Sequence, residues 1–400
     1  MKKKIKIGFI VQRKMYFKFL GPVINILLKK NFDIYILFNY SQSRNFGKWR
    51  DFPFLDTFFS KQNLKKRIFF KNDELLKIIN EEKIKIIGSL LPYNKFNFDK
   101  KKIKNLKWVL FQHGMDLFWN VKELKYSDYI FLYSNYWRTL LINFFKEQKV
   151  QYNKNNLVVL GNPQFDMLEK LDEIEIKKKY NLPIKKKIIL FLPLSQPNAY
   201  FFNNKLNSFF AKFFFIYPNL DSIFFRLRKK IYIFLSYFIN NEISVLKNIS
   251  KFCKKNGYYL IIKSRSKRVL GSEFEYYSDR VFYDEQLIPS TIMELMKISS
   301  NVFSYITTSS GEAVFNKSYH YTIFDNTFSK IQKIYLRCFD KDYFSFNGVN
   351  EIISSNSLNN LLFKKKLKIT NLESRKKYLK KYFECFSKKK INLSDFLNKI

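Results

Sequence analysis

Apolar positions along this chain fall into short continuous runs separated by helical patterns. Ile5 to Val11 is rich in Ile and Val, the pattern of a strand buried on both faces of a parallel sheet. Gly21-Pro22 predicts a loop, followed by a helical pattern through Leu27 to Lys30 and a second strand at Ile34–Phe38. That is a βαβ opening. Asn72-Asp73 reads as the cap of a helix over Leu75–Ile79, and strands are predicted at Ile84–Ile87, Trp108–Phe111, Tyr129–Tyr133 and Leu157–Leu160. Gly161-Asn162-Pro163 and the charged stretch from Glu169 to Lys187 mark a boundary, after which the alternation restarts. Its strands are Ile188–Leu192, Tyr258–Lys263, Val281–Tyr283, Val302–Ile306 and Tyr319–Phe324, with helices at Val245–Lys255 and Ile292–Ile298.

The expected fold class is therefore α/β, with two Rossmann-like domains facing a cleft. The expected domains are residues 1–165 and 187–370, followed by a lysine-rich helical tail over 371–400. At 400 residues the chain is long enough for both to bury a core. One segment belongs to neither pattern. Residues 199–241 are dense in Phe and Tyr, interleaved with Lys205, Lys212, Arg226, Arg228, Lys229 and Lys230. Such a segment suits a membrane interface, or an insertion packed on its own domain.

Composition narrows the partners. Lys+Arg total 73 against 33 Asp+Glu, a formal charge of +40. Lys, Asn, Ile, Phe and Tyr are all abundant while Gly and Pro are scarce, which points to an AT-rich coding sequence as one source of the lysine. The remaining excess favours a polyanionic or anionic-membrane partner. No nucleic-acid-binding motif accompanies it, so nucleic acid is not the expected partner. Cys253, Cys338 and Cys385 are too scattered for a disulfide scaffold or a clustered zinc site. The apolar stretch after Met1 is too short for a signal peptide, and Ile188 to Asn204, the longest uncharged stretch, is broken by Pro193 and Pro197. The expected location is the cytoplasm, peripheral at most to the inner face of the cell membrane.

Candidate chemistry sits at the carboxyl ends of predicted strands, where open parallel sheets place their ligands. Of only two histidines, His113 follows such a strand in Phe111-Gln112-His113-Gly114. Its imidazole suits a general base for an incoming hydroxyl, or it caps the next loop. His320, between two tyrosines of a strand, reads as a core or interface histidine. Thr307, Thr308, Ser309, Ser310, Gly311 and Glu312 open a helical stretch after another strand. Their hydroxyls and backbone N–H groups suit a diphosphate, with Glu312 placed for a ribose; an ordinary helix cap uses the same residues. Lys263 and Arg265 stand at the end of a third strand, where one or the other offsets phosphate charge or is a solvated loop cation. Asp284-Glu285 lies at the same edge. Asp340-Lys341-Asp342 has DxD spacing with a lysine between the acids. There is no P-loop, GxGxxG or HExxH pattern, and no resident metal or cofactor is expected.

These motifs together resemble the GT-B glycosyltransferases, and within them the CDP-glycerol glycerophosphotransferase and surface-polysaccharide transferase group. Gln112-His113-Gly114 resembles that group's HG loop, whose histidine is its base. Gly161-Asn162-Pro163-Gln164-Phe165-Asp166 resembles the segment closing the first domain, and Ile188–Leu192 with Pro193 the strand opening the second. Ile306-Thr307-Thr308-Ser309-Ser310 resembles the donor-phosphate loop, while Gly311-Glu312 is similar to the binding loop of non-hydrolysing UDP-GlcNAc 2-epimerases. Thr307-Thr308 stand where the transferases carry an Asp, and Lys263-Ser264 where they carry His-Pro. The resemblance implies His113 as catalytic base, with Gln112, Gly114, Lys263, Arg265, Thr308, Ser309, Ser310, Gly311 and Glu312 binding substrate. It implies a UDP-sugar or CDP-glycerol donor and a glycan or lipid-linked acceptor.

Overall fold

The structure is a computed structural model that describes residues 4–12, 16–30, 32–40, 64–96, 98–103, 105–114, 121–193, 242–264, 270–283, 288–305, 307, 309–323, 340–363, 367–384 and 393–400. The aromatic segment 199–241, Arg265, Asp284-Glu285, Thr308, Cys338 and Cys385 lie outside the described residues. The chain divides into two compact units, Met1–Met167 with Lys380–Ile400, and Leu168–Leu379.

Elements from the first half are β1 (Ile5–Val11), α1 (Phe17–Leu28), β2 (Phe32–Asn39), β3 (Lys65–Phe69), α2 (Asn72–Glu82), β4 (Ile86–Ser89), β5 (Lys107–Phe111), β6 (Tyr129–Leu132), α3 (Asn135–Glu147), β7 (Leu157–Val159) and α4 (Pro163–Glu169). Their seven strands form one sheet in the order β3-β2-β1-β4-β5-β6-β7, parallel throughout. Burial explains the sequence pattern: the last five residues of β1 and all of β4 are inaccessible, so central strands need no polar face.

Two expectations change in this unit. Gly21 and Pro22 form no loop; both lie inside α1, buried with Phe17, Leu20, Val23, Ile24 and Leu27. Pro22 forfeits one main-chain bond and costs on the order of 3 kcal/mol in a helix interior, which packing of that apolar face offsets. β3 was not expected from sequence. Its Lys65-Lys66-Arg67 start is exposed at the sheet edge, where charge discourages pairing with another chain. The strand expected at Ile84–Ile87 forms two residues later.

The second half repeats the plan with α5 (Glu173–Lys179), β8 (Ile188–Leu192), α6 (Glu242–Asn256), β9 (Tyr259–Lys263), α7 (Ser272–Tyr277), β10 (Arg280–Phe282), α8 (Thr291–Lys297), β11 (Ser299–Tyr305), α9 (Ser309–Phe315), β12 (Tyr319–Ile323), α10 (Lys341–Phe344), β13 (Asn350–Ile353) and α11 (Ser355–Phe363). Two further helices, α12 (Leu372–Tyr382) and α13 (Leu393–Lys399), complete the described elements. The sheet runs β10-β9-β8-β11-β12-β13, again all parallel. Ile189 and Phe191 of β8 pack with Val245, Leu246 and Ile249 of α6. Ile188 and Leu190 pack on the other face with Leu295, Met296 and Ala313. A strand whose alternate residues enter two different cores has to read as an unbroken apolar run. β13, an edge strand with two partly exposed residues, was not expected from sequence.

Both sheets share one consequence. The chain leaves β1 to build one side and returns beside it as β4; β8 and β11 do the same. Each pair is a topological switch point, where the loops at the carboxyl ends part and leave a crevice.

Candidate functional site

In the first unit the chain leaves β5 at Phe111 and enters Gln112-His113-Gly114. Gln112 is buried, and its own N–H donates to the Phe131 carbonyl at 3.0 Å. Its Oε1 accepts from the Tyr133 N–H at 2.9 Å, so the side chain bolts the end of β5 to the end of β6. A bolted residue immediately before His113 fixes where the imidazole starts. Gly114 follows at φ +97°, a turn that side-chain-bearing residues resist. His113 is half-buried against two aromatic rings from the α1 region, Tyr16 at 6.3 Å and Phe19 edge-on at 5.8 Å.

In the second unit the switch point lies between β8 and β11, and the loop after β11 is the Thr/Ser-rich one. Thr307 Oγ1 accepts from the Ser309 N–H at 3.3 Å and so caps α9. Ser310 is fully buried. Sequence gave its hydroxyl to a phosphate; in the structure it is engaged from beneath by Asn350, whose Nδ2 donates to it at 2.9 Å and to the Tyr343 carbonyl at 2.8 Å. Asn350 Oδ1 accepts from the Phe346 N–H at 2.6 Å, and the Tyr378 hydroxyl donates to the same Tyr343 carbonyl at 2.9 Å. The Tyr343 phenol bonds in turn to the backbone of Gly311. Burial above all, then Tyr378 and Glu312 beside it, holds that phenol well above its usual range. The loop thus rests on a buried polar platform of Asn350, Tyr343 and Tyr378, which sequence reading missed. Asparagine and tyrosine are too common here to stand out, and Tyr378 is distant in the chain from the other two.

Lys263 ends β9, beside β8, and is buried with its ammonium on the Ser264 carbonyl. It stands at the same carboxyl edge as the β11 loop, within the same unit. The structure therefore gathers the named residues into two groups. Gln112, His113 and Gly114 belong to the first unit; Lys263, Ser309, Ser310, Gly311 and Glu312 to the second.

Other sequence candidates take structural roles. Asp340 Oδ1 accepts from the Tyr343 N–H at 3.1 Å and caps α10. Among the described residues no three His, Cys, Asp or Glu side chains gather where they could hold a metal ion. His320 is buried in β12, its Nε2 2.8 Å from Ser304 Oγ and its Nδ1 3.3 Å from Thr322 Oγ1. Ser304 Oγ donates to the Tyr305 carbonyl, so it accepts from Nε2–H while Thr322 donates to Nδ1. That is a neutral imidazole with both nitrogens satisfied. Burial lowers its pKa to about 3. No helix among the described residues is long and apolar enough to cross a membrane.

No protein-family model matches the chain, and neither does any curated protein sequence. Solved structures do. The wall teichoic acid polymerase TagF superposes with a TM-score of 0.54 at 13% identity, covering 94% of this chain and 82% of its own. The UDP-GlcNAc 2-epimerase from Neisseria meningitidis bound to UDP-GlcNAc gives 0.57 at 13% identity, covering 99% of both chains. The epimerase from Methanocaldococcus jannaschii gives 0.52 at 13%, covering 94% of this chain and 98% of its own.

The fold is GT-B.

Two parallel α/β units in one chain, each with its own switch point, are the same architecture reached from the sheet topology. At such identities the likeness extends to the fold, and chemistry has to be argued from this chain's own residues.

Proposed function

We propose that this GT-B protein is a transferase that moves a glycosyl or glycerophosphoryl group from a nucleotide-activated donor to a cell-surface glycan or lipid-linked acceptor. The observation that carries the reading is the placement of the Thr/Ser-rich loop at the β8/β11 switch point, directly after β11. In this proposal the backbone N–H groups of Thr308, Ser309 and Gly311 and the hydroxyls of Thr308 and Ser309 hold the donor diphosphate, and Ser310 supports them through Asn350. Glu312 accepts the ribose hydroxyls. Lys263 or Arg265 offsets charge on the leaving phosphate. His113 takes the proton of the acceptor hydroxyl, and Gln112 and Gly114 set its position.

The bonds balance in either chemistry. With a UDP-sugar the acceptor oxygen attacks the anomeric carbon, the bond to the diphosphate breaks, and UDP leaves. With CDP-glycerol it attacks the glycerol-side phosphorus, the phosphoanhydride breaks, and CMP leaves. The acceptor proton goes to His113 in both, and the proposal calls on no resident metal or cofactor. We place the reaction on the cytoplasmic side, beside the membrane that carries a lipid-linked acceptor. Incubation with radiolabelled UDP-GlcNAc or CDP-glycerol and a teichoic-acid or glycan acceptor tests it: acceptor-dependent label transfer is expected, and nucleotide release that ignores the acceptor contradicts it.

The fold likeness to the epimerases, with Gly311-Glu312, supports a second reading as a nucleotide-sugar epimerase. It predicts turnover of the donor sugar with no acceptor present, which separates the two.

A further inference from the structure

We propose that a surface formed by Phe363 and residues 367–377 of the second unit docks this protein on anionic lipid. Among the described residues the two most exposed large apolar side chains are Phe363 at 87% and Ile369 at 86%, and Leu372 is 58% exposed. All three fall within ten consecutive residues. Phe363 ends α11, and Leu372 begins α12.

Residues 367–371 are held to the unit at several points. Leu367 packs into the core and Thr370 is buried, so Ile369 is held outward between two inward residues. The Lys368 N–H donates to the Tyr321 hydroxyl at 2.8 Å, and its carbonyl accepts from Asn301 Nδ2 at 2.9 Å. The Asn371 N–H donates to the Gly348 carbonyl at 2.7 Å. These anchors tie the segment across β11 and β12 to the turn before β13, along the amino-terminal edge of the sheet. The proposed donor loop lies at the opposite, carboxyl edge of the same sheet.

Charge decides the occupant. Residues 367–377 carry Lys368, Arg375, Lys376 and Lys377 against the single acid Glu373. The nearby carboxylates are already matched: Glu373 with Lys376 at 2.7 Å, and Glu351 with Lys368. Lys377 remains exposed on the first turns of α12. A second copy of a chain at +40 would meet like charge here. A bilayer with anionic headgroups takes both parts, the three apolar side chains below the headgroups and the lysines among them. The aromatic segment 199–241 is a different stretch of chain, and the surface stands without it. It also stands without the transferase reading, because its test contains no nucleotide.

The test is co-sedimentation of the full chain with vesicles of equal parts phosphatidylglycerol and phosphatidylcholine, against vesicles of phosphatidylcholine alone. Wild type is expected to bind the anionic vesicles and to release as salt rises. The triple substitution Phe363→Ser, Ile369→Ser, Leu372→Ser is expected to bind roughly tenfold less or weaker still. Its circular dichroism should match wild type. The pair Lys376→Glu, Lys377→Glu leaves the apolar residues intact and is expected to lose preference for the anionic vesicles, so the proposal stays testable should the triple variant misfold. Absence of binding by wild type overturns it. So does binding that both variants retain, which would move membrane contact to another part of the chain. A dimer that the triple variant dissociates, with vesicle binding unchanged, would give the surface to a second copy and also overturn it.

Discussion

His113 and His320 show how one residue type is put to two uses by its surroundings. His320 has both nitrogens satisfied inside β12 and stays neutral. Its pKa, about 6.5 in an unfolded chain, falls to about 3 on burial. Between those values the unfolded chain holds the extra proton, so stability rises with pH through that window and is lost as pH falls from about 6.5. Urea unfolding at pH 7 and pH 5, on wild type and His320→Gln, should show the wild type losing up to about 1.4 kcal/mol more per pH unit than the variant. Equal slopes would mean that the imidazole is not held neutral. His113 instead stands half-buried at a strand end, where the proposed function needs a base. His113→Ala should lower turnover by about a hundredfold or more with nucleotide affinity unchanged. Unchanged turnover in steady-state assays would remove it from the mechanism. Its position was legible because histidine is so rare here and the preceding apolar run so clear.

Elements were legible where burial is two-sided. The runs at β1, β5, β8 and β11 are apolar because both faces of each sheet are covered, and their ends placed the candidate loops. Legibility failed at two of the four edge strands, β3 and β13, which carry exposed or charged positions; the other two, β7 and β10, were expected. It failed again at Gly21-Pro22, where tertiary packing overrides a local breaker. The platform under the loop after β11 has no sequence signature, since Asn350 and Tyr343 are ordinary residue types here and Tyr378 joins them only in three dimensions. Asn350→Ala leaves Ser310 and the Phe346 N–H without their partner and should cost about 2–3 kcal/mol in urea unfolding. Nucleotide affinity should weaken about tenfold as the loop loses its support. Asn350→Ala with full affinity would separate the platform from the site. Elsewhere, α5 is pinned to α8 by buried Glu294, which accepts from Lys179 Nζ at 2.7 Å and from the Tyr180 hydroxyl. Lys179→Met should destabilise the chain by about 1–2 kcal/mol, a figure reduced because the lysine is partly exposed. A thermal midpoint equal to wild type would show that the pair contributes nothing.

At the scale of the whole molecule, two parallel sheets repeat one strand order, and each opens a crevice at its own switch point. The recurring order is why the fold could be read from alternation alone, and why its likeness to TagF and to the epimerases persists at 13% identity. Net charge of +40 favours anionic ligands and surfaces over cationic ones. The central claim is that the loop after β11 binds a nucleotide. Calorimetric titration of the full chain with UDP, CDP, GDP and CMP, repeated on Glu312→Ala, tests it most directly. Selective binding of one nucleotide, weakened about tenfold or more by the substitution, is the predicted result. A folded protein that binds none of the four, or binds equally well without the Glu312 carboxylate, would contradict it.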